Sequence, residues 1–99
     1  MGAPDLTFLA GHGLEVYGFE GCPDCARLER WLANFGVPHR GVDIHQDPAA
    51  AAKLEAETGK QAVPYLLVDG RTWVRGYHKE LPGRFDARLL LEELRGALR

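Results

Sequence analysis

No apolar run in this sequence approaches the length needed to cross a bilayer as a helix. Basic charge is not in excess either. Twelve Lys and Arg stand against 14 Asp and Glu, a formal net charge of −2, and nothing points to nucleic acid. The amino end, Met1-Gly2-Ala3-Pro4-Asp5-Leu6, lacks the basic region and long apolar core of a secretory signal. Leu6 also holds the place where N-myristoylation at Gly2 needs Ser or Thr. Cysteine is scarce: only Cys22 and Cys25, too few for a disulfide-stapled secreted scaffold. There is no internal repeat and no linker. With 99 residues, 45% of them apolar, the chain reads as one ordinary globular domain, and its expected location is the cytoplasm.

What the chain does have is concentrated in one stretch, Leu14-Glu15-Val16-Tyr17-Gly18-Phe19-Glu20-Gly21-Cys22-Pro23-Asp24-Cys25-Ala26-Arg27. Its first half sets apolar and aromatic residues in near alternation, Leu14, Val16 and Phe19 with Tyr17 between them, in the manner of a buried strand. The chain then turns at Gly21 and starts a helix at Pro23, where the missing N–H costs nothing. Cys22 is thus placed at the helix N-terminus and Cys25 one turn on, on the same face. Unpaired N–H groups and the positive end of the helix dipole favour a thiolate at Cys22, which predicts an exposed, acidic, attacking sulfur. Cys25, deeper in the helix, suits the resolving role. Asp24 between them opposes a neighbouring thiolate and is expected to temper that activation. In a reducing compartment, C-x-x-C near a βαβ pattern points to redox chemistry.

Residues 1–13 read as an extension without recognisable chemistry, and 14–99 as the domain proper. A first strand is predicted over Leu14–Phe19 and a first helix over Pro23–Phe35, with Leu28, Trp31, Leu32 and Phe35 as its core stripe and Gly36 as its terminator. A second extended segment covers His39–Ile44. Asp47-Pro48 opens an alanine-rich helix that stops at Gly59. Asp69-Gly70 is the strongest hairpin signal and joins two short strands, with Pro64 confined to the start or edge of its strand. The last helix is predicted over Phe85–Leu98, striped by Ala87, Leu90, Leu91, Leu94 and Leu98. The order β-α-β-α-β-β-α implies an α/β fold: a four-stranded mixed sheet with three helices on both faces.

Two plainer readings compete with redox chemistry. Cys22-x-x-Cys25 with His39 and His45 satisfies a loose zinc spacing. Six residues of strand hold those histidines ~20 Å apart, too far for one ion with bonds near ~2 Å, so no metal is expected. His12, His39, His45 and His78 then read as solvated surface residues. An inert buried cysteine pair is the other reading, and Pro23 with its helix start weighs against it.

The element order, with Cys22-Pro23-Asp24-Cys25 after the first strand and Val63-Pro64 before the third, resembles the thioredoxin fold, and in length and detail the glutaredoxins and related NrdH-redoxins. The resemblance implies a thiol–disulfide oxidoreductase working through Cys22 and Cys25, with no bound cofactor. It implies a cis bond at Val63-Pro64, whose backbone a substrate strand pairs with, and supporting roles for Pro23 and Asp24. Tyr17, Lys60, Gln61, Trp73, Arg75, Gly76 and Tyr77 are the candidates for a substrate or glutathione groove, with surface and packing roles as their plainer alternatives. The electron donor is left open. Phe19 stands in the neighbourhood where glutaredoxins carry a lysine, and Arg75-Gly76-Tyr77-His78-Lys79 lacks the aspartate of their Gly-Gly-x-Asp motif. Gln61-Ala62-Val63-Pro64 and Trp73 with Gly76-Tyr77 look more like NrdH-redoxins, whose Trp-to-Gly spacing is one residue shorter. That likeness implies thioredoxin reductase as donor and ribonucleotide reductase among the partners; the other implies glutathione as co-substrate. A third possibility is a cluster-binding or docking module in which Cys22 ligates an iron–sulfur centre.

Overall fold

The computed structural model describes residues 6–98; positions 1–5 of the predicted extension lie outside the described residues. In chain order the elements are a 3-10 turn (Thr7–Leu9), β1 (Leu14–Gly18), α1 (Pro23–Asn34), β2 (Arg40–Asp43), α2 (Pro48–Thr58), β3 (Tyr65–Val68), β4 (Thr72–Arg75) and α3 (Ala87–Ala97). The four strands form one mixed sheet in the order β2-β1-β3-β4. β1 runs parallel to β2 and antiparallel to β3, and β3 pairs antiparallel with β4.

Strand alternation sorts the core into two layers. Leu14, Val16, Leu66, Val68 and Val74 point to one face, where they meet Leu28 and Leu32 of α1 and Leu90 and Leu94 of α3. Tyr17, Val42, Ile44 and Leu67 form the other layer with Ala50 and Leu54 of α2. The single large buried side chain that α2 supplies, Leu54, reflects its alanine-rich sequence.

The ends of the elements follow local chemistry. α1 stops at Asn34, one residue earlier than predicted. Gly36 adopts φ +66°, and the Gly36 and Val37 amides fold back onto the Ala33 and Leu32 carbonyls at 3.0 and 2.9 Å, which satisfies carbonyls the helix leaves open. α3 begins at Ala87 rather than Phe85 because Asp86 caps it, its carboxylate accepting from the Leu89 amide at 2.9 Å. Phe85 instead sets its ring 6.0 Å from that of Trp31. At the hairpin, Asp69 and Gly70 both take positive φ, and the Arg71 amide donates to the Val68 carbonyl. That is the turn twist two antiparallel strands need.

His78, read from sequence as a surface residue, is fully buried. It lies where the loop after β4 tucks under itself. Its amide donates to the Arg84 carbonyl at 2.9 Å, and its carbonyl accepts from the Leu81 amide at 2.9 Å. Its Nε2 stands 3.3 Å from Glu93 Oε1 on α3.

The described part of the N-terminal segment joins the core through Leu9, with Leu6 and Phe8 packed beside it. Asp69 ties this segment to the hairpin: its carboxylate accepts from the Gly13 amide at 2.8 Å and meets His12 Nδ1 at 2.7 Å. The His12 contact first, then the Gly13 amide, hold the Asp69 carboxyl below its usual range. A carboxylate depressed in the folded state stabilises above its unfolded value and loses that contribution as pH falls through the folded value. Asp69→Asn should therefore lower the urea midpoint at neutral pH, and the gap from wild type should close below about pH 4, where unfolded aspartate protonates. A gap that persists unchanged in acid would assign the effect to something other than charge.

Candidate active site

Cys22 is the residue that caps α1. Its backbone is extended, its carbonyl accepts from the Ala26 amide, and its Sγ accepts from the Cys25 amide at 3.2 Å. The sulfur thus occupies the acceptor position that Ser, Thr or Asp usually fills at a helix start. Pro23 follows at the first helical position and faces solvent. Gly21, at φ +91°, makes the turn that delivers the chain to the cap.

Cys22 and Cys25 are joined as a disulfide across a Cα separation of 5.2 Å. Cys22 is only 8% exposed and Cys25 3%, which corrects the expectation of an openly exposed attacking sulfur. In the bonded state Cys22 Sγ is folded back over the first helical turn, against its mate and the Cys25 amide. The ordering of the two sulfurs by depth is as expected, though the difference is small.

Gly18, at the end of β1, was not singled out by sequence reasoning. A Cβ on it would lie 2.8 Å from Cys25 Sγ and 3.1 Å from Cys25 Cβ. The cysteine helix therefore rests directly on bare backbone. The available signal was a glycine closing a buried strand just ahead of C-x-x-C.

Asp24 is not an isolated charge. Arg84, from the loop before α3, sets Nη2 at 2.7 Å and Nε at 3.2 Å from Asp24 Oδ2. Arg27 Nη1 lies 3.6 Å from Oδ1 and donates to the Gly83 carbonyl at 2.7 Å. The Asp24 carboxylate, by bonding and by charge, holds the Arg84 guanidinium above its ordinary value.

The chain enters β3 through a cis Val63-Pro64 bond, with Pro64 buried. The Gly76 amide donates to the Pro64 carbonyl at 3.0 Å, and a Cβ at Gly76 would meet Leu28 Cδ2 at 2.6 Å and Pro64 O at 3.0 Å. Lys60, Arg75 and Tyr77 share a small cavity of about 70 Å³ with Tyr65, Lys79 and Glu80. Arg75 is already engaged there. It donates to Glu93 at 2.8 Å and to Glu80 at 2.9 Å, and these bonds, Glu93 foremost, raise its pKa further.

The remaining groove candidates lie elsewhere. Tyr17 points to the α2 side of the sheet, away from the helix that carries the cysteines. It is packed edge-on to Trp73 at 4.8 Å between ring centres, and burial first, then Glu15, raises its phenol pKa. Trp73 Nε1 donates to Glu57 on α2 at 2.9 Å, and Gln61 Nε2 to Glu55 at 2.9 Å. Both are thereby tied to α2. His45 stacks on Phe19, three residues before Cys22, with ring centres 4.4 Å apart.

This arrangement allows reversible dithiol–disulfide exchange, with one sulfur at a helix terminus and its mate one turn below. The comparisons with known proteins agree. The glutaredoxin family model matches residues 14–73. Glutaredoxin Grx-1 of Archaeoglobus fulgidus shares 25% identity over 97% of this chain and 100% of its own, at a TM-score of 0.62. The thioredoxin-like protein BC3987 shares 28% identity over 68% of this chain and 90% of its own, at 0.58. The dithiolic glutaredoxin 2-C-Grx1 of Trypanosoma brucei brucei, 17% identical over 98% of each chain with a TM-score of 0.62, is alike in fold alone. No curated protein matches the chain. Family match and cysteine geometry together place the chain in the glutaredoxin family, as a thiol–disulfide oxidoreductase working through Cys22 and Cys25.

Proposed function

We propose that the chain reduces protein disulfides in the cytoplasm and is recharged by thioredoxin reductase rather than by glutathione. The Cys22 thiolate attacks one sulfur of a substrate disulfide, and the other sulfur leaves as a thiolate and takes up a proton. The Cys25 thiolate then attacks Cys22 Sγ, expelling the second substrate sulfur. Two electrons have moved to the substrate, and a Cys22–Cys25 disulfide is left. The reductase returns two electrons and two protons. The disulfide-bearing substrates are proteins, with ribonucleotide reductase the partner that the NrdH-like motifs suggest. No bound metal or organic group takes part. Residues 1–13 act as an appendage to the domain over 14–99.

The observation that carries the choice of donor is the state of Arg75. Its guanidinium is held by two carboxylates, Glu93 and Glu80. A glutathione carboxylate would have to displace one of them to bind there, against a charge-assisted pair that already satisfies the fork. A protein donor that pairs with the backbone of Val63, beside the cis Pro64 bond, does not have to displace these carboxylates.

The test supplies NADPH and a disulfide substrate to the oxidised protein, once with thioredoxin reductase and once with glutathione plus glutathione reductase. Turnover with the first and a rate at least about tenfold lower with the second is the expected result, corresponding to ~1.4 kcal/mol of preference. Turnover with glutathione alone would reassign the donor while leaving the dithiol chemistry intact.

A further inference from the structure

A bare carboxylate between the two cysteines would oppose a thiolate at Cys22, yet the fold brings a cation to it from a remote segment. Arg84 is 60 positions from Asp24 and meets it with a fork. Nη2 is 2.7 Å from Oδ2, while Nε lies 3.2 Å from Oδ2 and 3.4 Å from Oδ1. The supporting loop is fixed at both sides of this contact. The Arg84 amide donates to Leu81, the Arg84 carbonyl accepts from the His78 amide, and Gly83 accepts from Arg27. Arg84 also takes φ +57°, a left-handed conformation that favours glycine. Its side chain is therefore held in a place where the backbone alone would select a different residue.

We propose that Arg84 is a positioning residue for the redox pair. By engaging Asp24, it cancels that carboxylate's opposition to the Cys22 thiolate and so sets the acidity of the attacking thiol. The inference rests on the reading of Cys22 as the attacking sulfur. The charged groups around Asp24 are Arg27 on its own helix and Arg84 from the loop, with the Tyr77 phenol under the Arg84 guanidinium at 5.8 Å. Glu20 stands exposed two residues before Cys22. Arg27 is the weaker partner, at 3.6 Å and with the same nitrogen bonded to Gly83.

The experiment follows the rate of iodoacetamide alkylation of Cys22 against pH, in a Cys25→Ser background so that a single thiol reports. Arg84→Ala is expected to raise the midpoint by ~0.5–1 pH unit, slowing alkylation roughly three- to tenfold below it, as one unmasked charge on the neighbouring turn would. Asp24→Asn added to Arg84→Ala should bring the midpoint back, so that the two changes are far from additive. Arg84→Lys, which keeps the charge, should recover most of the shift. Two results overturn the proposal: an unmoved midpoint in Arg84→Ala, or a double variant as shifted as Arg84→Ala alone. The second would make the effect one of loop structure. Disulfide turnover by the wild-type chain is measured alongside. Its failure would strike the functional reading, whereas the alkylation midpoints would still decide the role of Arg84.

Discussion

Cys22→Ser should abolish disulfide reduction, by at least about 10³-fold, because a serine hydroxyl at the helix start is neither a thiolate nor able to form a mixed disulfide. Cys25→Ser should behave differently. The first attack needs only Cys22, so this variant should still bond to a substrate and then stop, leaving a covalent complex that mass spectrometry of the non-reduced protein detects. An excess of a small thiol, which can do from solution what Cys25 does from the next turn, should release the stalled complex. The asymmetry follows from placement. Cys22 is the cap whose Sγ faces the Cys25 amide, and Cys25 lies within α1 beneath it. Cys22, at the cap, is the slightly more exposed of the two, although both are largely covered when bonded to each other. A covalent complex that accumulates on Cys22→Ser instead would reverse the roles of the two sulfurs.

The parts of the molecule that sequence reading located are those whose causes are local. Pro23 after Cys22, Asp47 before Pro48, and Asp69-Gly70 each carry their structural consequence within a few residues, and each stands where the reading put it. The period-2 alternation of β1 likewise decided which side chains face α1 and which face α2. What it did not disclose depends on chain segments that meet only after folding. Arg84 could not be matched to Asp24 from sequence, nor could His78 be seen as buried, because the loop that carries both is organised by contacts with α1 and α3. The start of α3 was misplaced for a smaller reason. Phe85 is apolar and sits just ahead of the striped residues, but Asp86 takes the cap position and starts the helix two residues later, at Ala87. Among the groove candidates, the sequence offered Tyr17 and Trp73 as aromatic residues near the right motifs. Strand parity and the Glu57 hydrogen bond turned them to the α2 side.

Gly18→Ala should damage both stability and redox behaviour, although in an ordinary strand alanine would be the better residue by ~0.5–1 kcal/mol. Here the added methyl would sit 2.8 Å from Cys25 Sγ, well inside contact distance, against a sulfur that is bonded and buried. Overpacking a core in this way costs typically 1–3 kcal/mol, so the clash outweighs the gain in propensity. Relief requires α1 to lift from β1 or Cys25 to turn away from the strand. In the dithiol form Cys25 has its own side-chain torsion with which to turn. In the disulfide form it is tethered to Cys22 and the helix itself must move. The loss of stability should therefore be larger for the oxidised protein than for the reduced one, measured by urea unfolding with and without reductant. By linkage, a larger penalty on the oxidised form makes the disulfide easier to reduce and slower to close. Gly18→Ala should then equilibrate with a glutathione redox buffer at a higher dithiol fraction than wild type. Equal losses in the two forms would show that the methyl is accommodated away from Cys25, and that the close approach of strand and cysteine does not bear on the redox pair.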